Sequence, residues 1–212
     1  MKIALIGASG YVGSALLAEA LNRGHEVTAL VTQPQKVAAR AHLQVLAADA
    51  QATPALTEAL RGHEAVISAF SGHAQGDVRG YYVRGARSII DAVKQAGVPR
   101  LLMVGGAGSL EVAPGVQLVD TPEFPAEWKG TAEGARDALA LLRAEADLDW
   151  TMLSPAIQLV PGARSGTFRL GTDQLLTDAA GESRITLADY AVALLDELER
   201  PAHSRQRFAV AY

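Results

Sequence analysis

Three glycines, Gly7, Gly10 and Gly13, lie close together in the stretch IGASGYVG near the start of the chain. Because glycine has no side chain, it leaves the neighbouring main-chain N–H groups uncovered. At the start of a helix such groups attract a diphosphate. The spacing assigns a tight turn to Gly7, close approach of a ligand to Gly10, and packing of helix on strand to Gly13. The glycines alone would also fit an ordinary strand-to-helix turn, but their place after an apolar run favours a dinucleotide site.

The residues after the second apolar run bear on which nicotinamide dinucleotide is bound. The segment ALVTQPQKVAAR has no carboxylate directly after the run to take the hydroxyls of the adenine ribose. Thr32 and Gln33 can instead hydrogen-bond a 2′-phosphate, with positive charge from Lys36 and Arg40. The same residues also fit a solvated helix start. We expect a slight preference for NADP(H) over NAD(H).

Small residues end the fourth and fifth apolar runs, in SAFSG and VGGAGSL, and we expect these segments to line the rest of the cofactor groove. After the third run, Asp49 fits either a contact with the adenine amino group or a cap for a helix that begins near Thr53. The predicted cofactor contacts are Gly7, Ser9, Gly10, Tyr11, Val12, Gly13, Thr32, Gln33, Lys36, Asp49, Ala69, Phe70, Ser71, Gly105, Gly106 and Pro155.

Short apolar runs alternate along the chain with longer segments of helical period. Most runs are apolar at successive positions, as expected for strands that are covered on both faces. Alternation of strand and helix predicts an α/β fold with a doubly wound, mostly parallel sheet, whose ligands bind beyond the carboxyl ends of the strands. The predicted strands are 2–7, 26–31, 43–48, 65–70, 100–106, 149–156 and a final one in RQRFAVAY.

Two helical stripes are clear, one over 83–93 and one over 132–146. Gly97 and Pro99 form a stop signal after the first of them. Thr186 and Asp189 have the spacing of a capping box that starts a further helix. The stripes consist of Val83, Ala86, Ile90 and Val93, and of Ala132, Ala135, Leu139, Leu142 and Ala146.

The segment 158–185 differs from the rest, because glycines, a proline and short alternating pieces replace the regular strand and helix patterns. We expect it to form a small C-terminal lobe that covers the substrate. The remainder predicts one domain over residues 1–212, without internal repeats or an evident linker.

Composition excludes several classes of function. The 212 residues are 49% hydrophobic and carry a formal charge of −4 with scattered basic residues, so nucleic acid is not an expected partner. The chain has no cysteine, which excludes disulfides and fits a reducing cytoplasm. No stretch approaches the roughly 20 apolar residues that a membrane helix needs. The five histidines are dispersed without metal-ligand spacing, so no metal site is predicted.

Five segments in order resemble one known family: GASGYVG, VISAFSG, VGGAGSL, DWTMLSPA and SRITLADYAVALLDELE. Together they resemble the atypical short-chain dehydrogenase/reductases of the NAD(P)H-binding type, in particular the bacterial NADH-flavin reductase-like proteins, which are related to biliverdin reductase B. The resemblance runs nearly end to end, and it implies an NAD(P)-binding Rossmann fold and reduction of flavins or quinones. Related sequences often have Arg at the position of Thr32, and this difference weakens the case for NADP(H).

The chain departs from the wider superfamily in its acid–base chemistry. Short-chain dehydrogenases typically use Tyr-x-x-x-Lys, in which the tyrosine transfers the substrate proton. None of the four lysines, Lys2, Lys36, Lys94 and Lys129, has a tyrosine four positions before it. Reduction of a ketone requires a placed acid, whereas a flavin or quinone can take hydride into a delocalised ring and a proton from water. The absence of the pair therefore favours a conjugated acceptor.

Candidates for contact with that acceptor are few. Ser109, just past the fifth run, is the candidate catalytic residue, although a loop hydroxyl is more often satisfied by its own backbone. Phe124 and Trp128 offer a stacking face, but aromatic residues here also fit simple packing. His73 is a possible proton donor in a loop.

The leading hypothesis is a cytoplasmic NAD(P)H-dependent oxidoreductase that passes hydride to a small-molecule acceptor, a flavin or a quinone. A redox sensor that binds NAD(P) without turnover is the rival from another class. A sugar-nucleotide epimerase is the third hypothesis, disfavoured because the proton-transferring tyrosine is missing. The sequence leaves open whether the protein is a monomer or a homodimer.

Overall fold

The computed structural model describes residues 1–72 and 76–212. Five helices lie within these ranges, α1 (Tyr11–Asn22), α2 (Thr53–Leu60), α3 (Val78–Ala96), α4 (Ala126–Arg143) and α5 (Leu187–Glu199). The strands are β1 (Lys2–Ile6), β2 (Glu26–Val31), β3 (Leu43–Ala47), β4 (Ala65–Ser68), β5 (Arg100–Val104), β6 (Glu111–Ala113), β7 (Val116–Gln117), β8 (Asp149–Ser154), β9 (Gln158–Val160), β10 (Arg169–Gly171), β11 (Arg184–Thr186) and β12 (Gln206–Ala211).

Eight strands form the main sheet in the order β10-β12-β8-β5-β4-β1-β2-β3. All neighbours pair in parallel except β10, which runs antiparallel to β12 at one edge. The order reverses between β1 and β4, and a doubly wound sheet binds ligands beyond the carboxyl ends of its strands at such a point. The predicted α/β fold with a mostly parallel sheet is confirmed.

Helices cover both faces of the sheet, which explains why β1, β2, β4, β5 and β8 are apolar at nearly every position. Helices α1 and α5 pack on one face, with Leu16 and Leu194 in a shared core. Helices α2, α3 and α4 pack on the other, where Leu56, Ile89 and Leu139 are buried. None of the helices within the described ranges combines the length and apolarity needed to cross a membrane.

The elements end somewhat earlier than the sequence patterns predict. Strand β4 stops at Ser68 and β5 at Val104, because the chain turns where the small residues begin. Helix α3 ends as predicted, with Gly97 left-handed at φ +69°. Helix α4 ends at Arg143, so Ala146 lies beyond the helix and is exposed, and its assignment to the buried stripe is wrong.

The segment 158–185 is attached to the main fold at several points. Its strand β10 extends the main sheet, and β9 pairs in parallel with β11 just before α5. Thr186 caps α5 as predicted, since its Oγ1 accepts from the Asp189 N–H at 3.2 Å. The carboxylate of Asp189 turns instead to Ser165 and Gly166, whose N–H groups donate to it at 2.8 Å. The Asp189 half of the predicted capping box therefore holds the segment 158–185 in place and does not cap the helix.

Candidate functional site

The glycine turn joins the carboxyl end of β1 to the start of α1. Gly7 is left-handed at φ +79°, a conformation that favours glycine, and its carbonyl accepts from the Gly10 N–H at 3.0 Å. The first turn of the helix closes when the Ser14 N–H donates to the Gly10 carbonyl at 2.9 Å. The main-chain amides of Tyr11, Val12 and Gly13 come before that bond, at the opening of the helix.

The opening of α1 carries no cap of its own. Gly10 is the N-cap, and no side chain of the described residues hydrogen-bonds there; the first turn also contains no acidic residue. Helix α5 is different, because Thr186 caps it and Asp189 lies in its first turn. An uncapped amino end presents N–H groups and a positive partial charge, both of which suit a phosphate group.

A hypothetical β-carbon separates the roles of the three glycines. On Gly7 it would lie 2.7 Å from the Ala69 carbonyl oxygen, and on Gly13 it would lie 2.0 Å from the Gly7 carbonyl oxygen. Both glycines are therefore required by the fold, as predicted. On Gly10 the nearest atom would be 3.3 Å away, and its φ of −79° suits any residue. That contact with the Gly7 carbonyl oxygen is tight but much less severe than the contacts at Gly7 and Gly13. The fold therefore asks less of Gly10 than of the other two glycines, and the turn fits a dinucleotide diphosphate that lies against the backbone at Gly10.

The polar side chains that follow β2 are open to solvent. Thr32 and Gln33 are exposed, and Lys36 ends a short 3-10 helix that begins at Pro34. Arg40 is exposed in the loop before β3. These residues follow the carboxyl end of β2, and their contact with the adenine end of a cofactor stays a prediction.

Asp49 takes part in a local turn and remains exposed. Its Oδ1 accepts from the Gln51 N–H at 2.9 Å, and its carbonyl accepts from the Ala52 N–H at 3.1 Å. The N-cap of α2 is Ala52, which has no side-chain cap. Asp49 therefore leads into the helix without capping it, and its contact with adenine stays a prediction.

The ends of β4, β5 and β8 meet the glycine turn at the same edge of the sheet. Ala69 donates its N–H to the Ile6 carbonyl at 2.9 Å, and Ser71 is exposed two residues later. Gly105 donates its N–H to the Leu153 carbonyl at 2.8 Å, and a β-carbon there would press on Met152. Gly106 has more room, with the nearest atom 3.5 Å from such a β-carbon. Pro155, just past β8, is buried.

Phe70 contributes to this edge through its backbone. Its ring stacks on Tyr81 with centroids 5.4 Å apart and lies over Gly85, where a β-carbon would come within 2.2 Å of the ring. The neighbouring Tyr82 is buried, and its hydroxyl donates to the Val104 carbonyl at 3.3 Å. Burial raises the pKa of Tyr82 to about 12, so this phenol stays protonated.

Ser109 is placed beneath the surface. It is 2% exposed, and its Oγ accepts from Arg207 Nη1 at 3.2 Å. Arg207 also donates to Ser154 Oγ at 3.4 Å and, through Nε, to Asp173 at 2.9 Å. Burial alone would raise the pKa of Asp173, but the hydrogen bond and the charge of Arg207 lower it. The hydroxyl of Ser109 thus has a side-chain partner, and its contact with an acceptor stays a prediction.

Most of the large apolar side chains that are exposed belong to segments that leave the sheet at this edge. Seven large hydrophobic residues are exposed among the described ones, and five of them lie in segments that follow the carboxyl ends of β1, β5 and β8. These five are Tyr11, Val112, Val116, Trp128 and Ile157. Phe124 is half-buried, and His73 lies outside the described residues.

Two features of the site were missed from the sequence. The Tyr11 hydroxyl donates to the Leu159 carbonyl at 3.1 Å and links the glycine turn to the segment 158–185. Arg207 joins three segments that are distant in sequence, since Ser109, Ser154 and Asp173 all accept from it. A charged residue inside the apolar strand RQRFAVAY was the one available signal for the second link.

Comparison with known proteins agrees with this geometry. The family model described as NAD(P)H-binding matches residues 7–198. The protein YwnB of Bacillus subtilis (strain 168) is 44% identical over 213 residues, covering 99% of this chain and 98% of that one. A solved structure from Bacteroides thetaiotaomicron, provisionally named an epimerase, has a TM-score of 0.93 and 46% identity, covering 100% of this chain and 96% of its own.

A second solved structure, from Streptococcus pneumoniae TIGR4, is provisionally named an NADH-flavin reductase. It has a TM-score of 0.88 and 37% identity, and the alignment covers 100% of this chain and 99% of that one. These relatives span the chain almost completely, and the family model covers most of it. The chain therefore belongs to the NAD(P)H-binding family.

Proposed function

We propose that the protein is an NAD(P)H-dependent reductase whose acceptor is a planar conjugated molecule, a free flavin or a quinone. The observation that carries this proposal is that five of the seven exposed large apolar side chains among the described residues, Tyr11, Val112, Val116, Trp128 and Ile157, belong to segments that follow the carboxyl ends of β1, β5 and β8. Exposed apolar patches on soluble proteins commonly mark binding sites. A flat aromatic acceptor matches such a patch better than a sugar does.

The residues of this chain would bind and orient the reactants. The amides that open α1 hold the diphosphate, and the main chain at Ala69, Gly105 and Gly106 lines the groove toward the nicotinamide. When bound, a reduced nicotinamide supplies hydride, so it is oxidised while the acceptor gains two electrons. The apolar side chains pack against the faces of the acceptor and leave its edge open to water, and catalysis rests on proximity and orientation.

The proton balance is consistent with this acceptor class. The acceptor takes its proton from water, because the chain lacks a Tyr-x-x-x-Lys pair to deliver one. Ser109 is proposed as a contact to the acceptor that orients it. A direct contact requires the short helix Ala107–Ser109 to expose the hydroxyl, which is bonded to Arg207.

The test is oxidation of NADH or NADPH by the purified protein, followed by loss of nicotinamide absorbance with FMN, riboflavin or a quinone. Saturable, acceptor-dependent turnover is expected. Tight nucleotide binding without oxidation by any acceptor would favour a redox sensor. Interconversion of a sugar nucleotide would favour an epimerase, the provisional name of the Bacteroides thetaiotaomicron relative.

We further propose that NADP(H) is preferred to NAD(H). Thr32 and Gln33 are exposed directly after β2, and the nearby cations Lys36 and Arg40 are exposed as well. The double variant Lys36→Glu, Arg40→Glu should weaken NADPH binding at least tenfold while NADH binding changes less than twofold. Arg87→Glu, which reverses an exposed charge on α3, is the control. Equal losses for both nucleotides would contradict this preference.

The cytoplasmic location remains a prediction from the absence of cysteine.

A further inference from the structure

Tyr11 connects two parts of the site that are far apart in sequence. It is the first residue of α1, so its amide is one of those proposed to hold the diphosphate, here called the diphosphate seat. Its hydroxyl donates to the Leu159 carbonyl at 3.1 Å, 148 residues along the chain. The side chain is nevertheless 56% exposed. The backbone of this tyrosine belongs to α1 and its hydroxyl is bonded to β9, so the side chain bridges the glycine turn and strand β9.

Besides Tyr11, strand β9 is held by its pairing with β11 and by the side chain of Leu159, which packs against the hydrophobic core. It has three residues, and it pairs in parallel with β11. Just before it, the Ile157 N–H donates to Ser183 Oγ at 3.2 Å, and the Gln158 N–H donates to the Ser183 carbonyl at 2.9 Å. These contacts join β9 to the start of α5. The bond from Tyr11 joins it to the glycine turn.

We propose that the Tyr11 hydroxyl is a positioning group that fixes β9, and with it the acceptor side of the site, relative to the nucleotide. The proposal builds on the proposed function, because it assigns the acceptor to the space beside Ile157 and β9. Tyr11 acts through Leu159, since its O–H is already donated to that carbonyl and is not presented to the acceptor as an acid. One residue thereby couples the diphosphate seat to the acceptor side.

The test replaces Tyr11 by phenylalanine, which keeps the ring and removes the hydrogen bond. A hydrogen bond of this kind has a net value equivalent to about two- to tenfold in an equilibrium. For Tyr11→Phe we expect the KM of the acceptor to rise about two- to tenfold, while the Kd of NADPH changes less than twofold. Amide exchange in a peptide over residues 157–163 should become faster by a similar factor.

Ser14→Ala is the matched control. Its hydroxyl donates to the Tyr11 carbonyl at 3.2 Å, so this variant removes a hydroxyl from the same turn that does not reach β9. It should leave both the acceptor KM and the exchange of 157–163 unchanged. Tyr11→Ala, which removes the ring as well, should raise the acceptor KM further than Tyr11→Phe.

Two results would overturn the positioning role. Unchanged exchange over 157–163 in Tyr11→Phe would show that the hydrogen bond does not hold β9. Faster exchange with an unchanged acceptor KM would show that it holds β9 without serving the reaction. If the unaltered protein turns over no acceptor, the proposed function fails, and the exchange measurement alone still decides whether Tyr11 fixes β9.

Discussion

Near the amino ends of β5 and β8, Arg100 and Glu197 are almost fully buried and form an ion pair. At the carboxyl end of β1, by contrast, the amides that open α1 have no capping side chain. Arg100 donates to Glu197 at 2.9 Å, to Asp149 at 2.8 Å and to Thr151 at 2.7 Å. Glu197 also accepts from His203 Nδ1 at 2.7 Å. At one end of the sheet the buried polar side chains are paired with each other, and at the other end the helix amides lack a side-chain partner.

The difference separates residues that serve the fold from residues that serve a ligand. Buried charges are tolerated only when they are paired and hydrogen-bonded. Both terminal nitrogens of Arg100 have such partners within the described residues, and only its Nε is left without one. The open amides of α1 are not satisfied by a side chain of the described residues, so they are available to a ligand. Substitutions at the amino ends should therefore change stability, and those at the carboxyl ends should change binding.

The largest expected effect follows from Glu197→Ala. It leaves the buried guanidinium of Arg100 without its buried partner, and the N–H groups of Ala202 and His203 lose an acceptor. Breaking a buried pair in this way costs about 3–5 kcal/mol. The free energy of unfolding, measured by denaturant titration, should fall by about that amount. Glu58→Ala, which breaks the exposed pair with Arg61, should cost less than about 1 kcal/mol and is the control. Equal losses for the two variants would contradict the comparison.

A smaller loss of stability is expected from Gly13→Ala. Alanine in a helix is normally favoured over glycine by about 0.5–1 kcal/mol. Here the β-carbon would lie 2.0 Å from the Gly7 carbonyl oxygen, which belongs to the backbone and cannot turn aside. Overpacking of this kind costs about 1–3 kcal/mol, so the free energy of unfolding should decrease. An increase in that free energy would show that the turn relaxes without cost.

Gly10→Val tests the other side of the comparison. A β-carbon at Gly10 would lie 3.3 Å from the Gly7 carbonyl oxygen, which is a tight contact, and valine is a poorer N-cap than glycine. The free energy of unfolding should therefore fall by about 1 kcal/mol, less than for Gly13→Ala. The valine methyls would cover the amides that open α1. Calorimetry with NADH and NADPH should show binding at least tenfold weaker, about 1.4 kcal/mol. Gly10→Ala, with its shorter side chain, should lose less. Unchanged nucleotide binding by Gly10→Val would show that the diphosphate does not bind at this turn.

Much of this could be predicted from the sequence, because the regular half of the molecule follows local rules. The apolar runs predicted seven of the eight strands of the main sheet, all except β10, and the spacing of Gly7 and Gly13 matched positions where the backbone excludes a side chain. The stop at Gly97 and the cap at Thr186 depend on the conformation and hydrogen bonds of single residues, and both were found.

The segment 158–185 and its contacts could not be predicted in the same way. Asp189 accepts hydrogen bonds from Ser165 and Gly166, and Tyr11 donates one to Leu159. These partners are too far apart in sequence for a local pattern to predict the contacts. Ser109 was read as a loop hydroxyl near a ligand, but the partner that accounts for its burial is Arg207, 98 residues away. Hydrogen bonds between distant side chains depend on the packing of the finished fold.

The smallest expected effect concerns pH and again lies at the amino ends. His63, just before β4, is buried, with Nδ1 3.0 Å from the Leu60 carbonyl and Nε2 2.8 Å from Thr28 Oγ1. A neutral ring satisfies both contacts, because Nδ1–H donates to the carbonyl and the threonine hydroxyl donates to Nε2. Burial lowers the pKa of His63, although the bond to Leu60 opposes the shift.

A lowered pKa means that the unfolded chain binds this proton more readily than the folded protein does. The stabilisation from His63 is therefore complete above the pKa of the unfolded chain, about 6.5, and is lost as the pH falls toward the lower pKa of the folded state. His63→Gln keeps a donor and an acceptor but does not titrate, so the fall in unfolding free energy below pH of about 6.5 should become shallower. His42→Gln, at an exposed position, should keep the original slope. An unchanged slope for His63→Gln would show that this proton is bound equally well in both states.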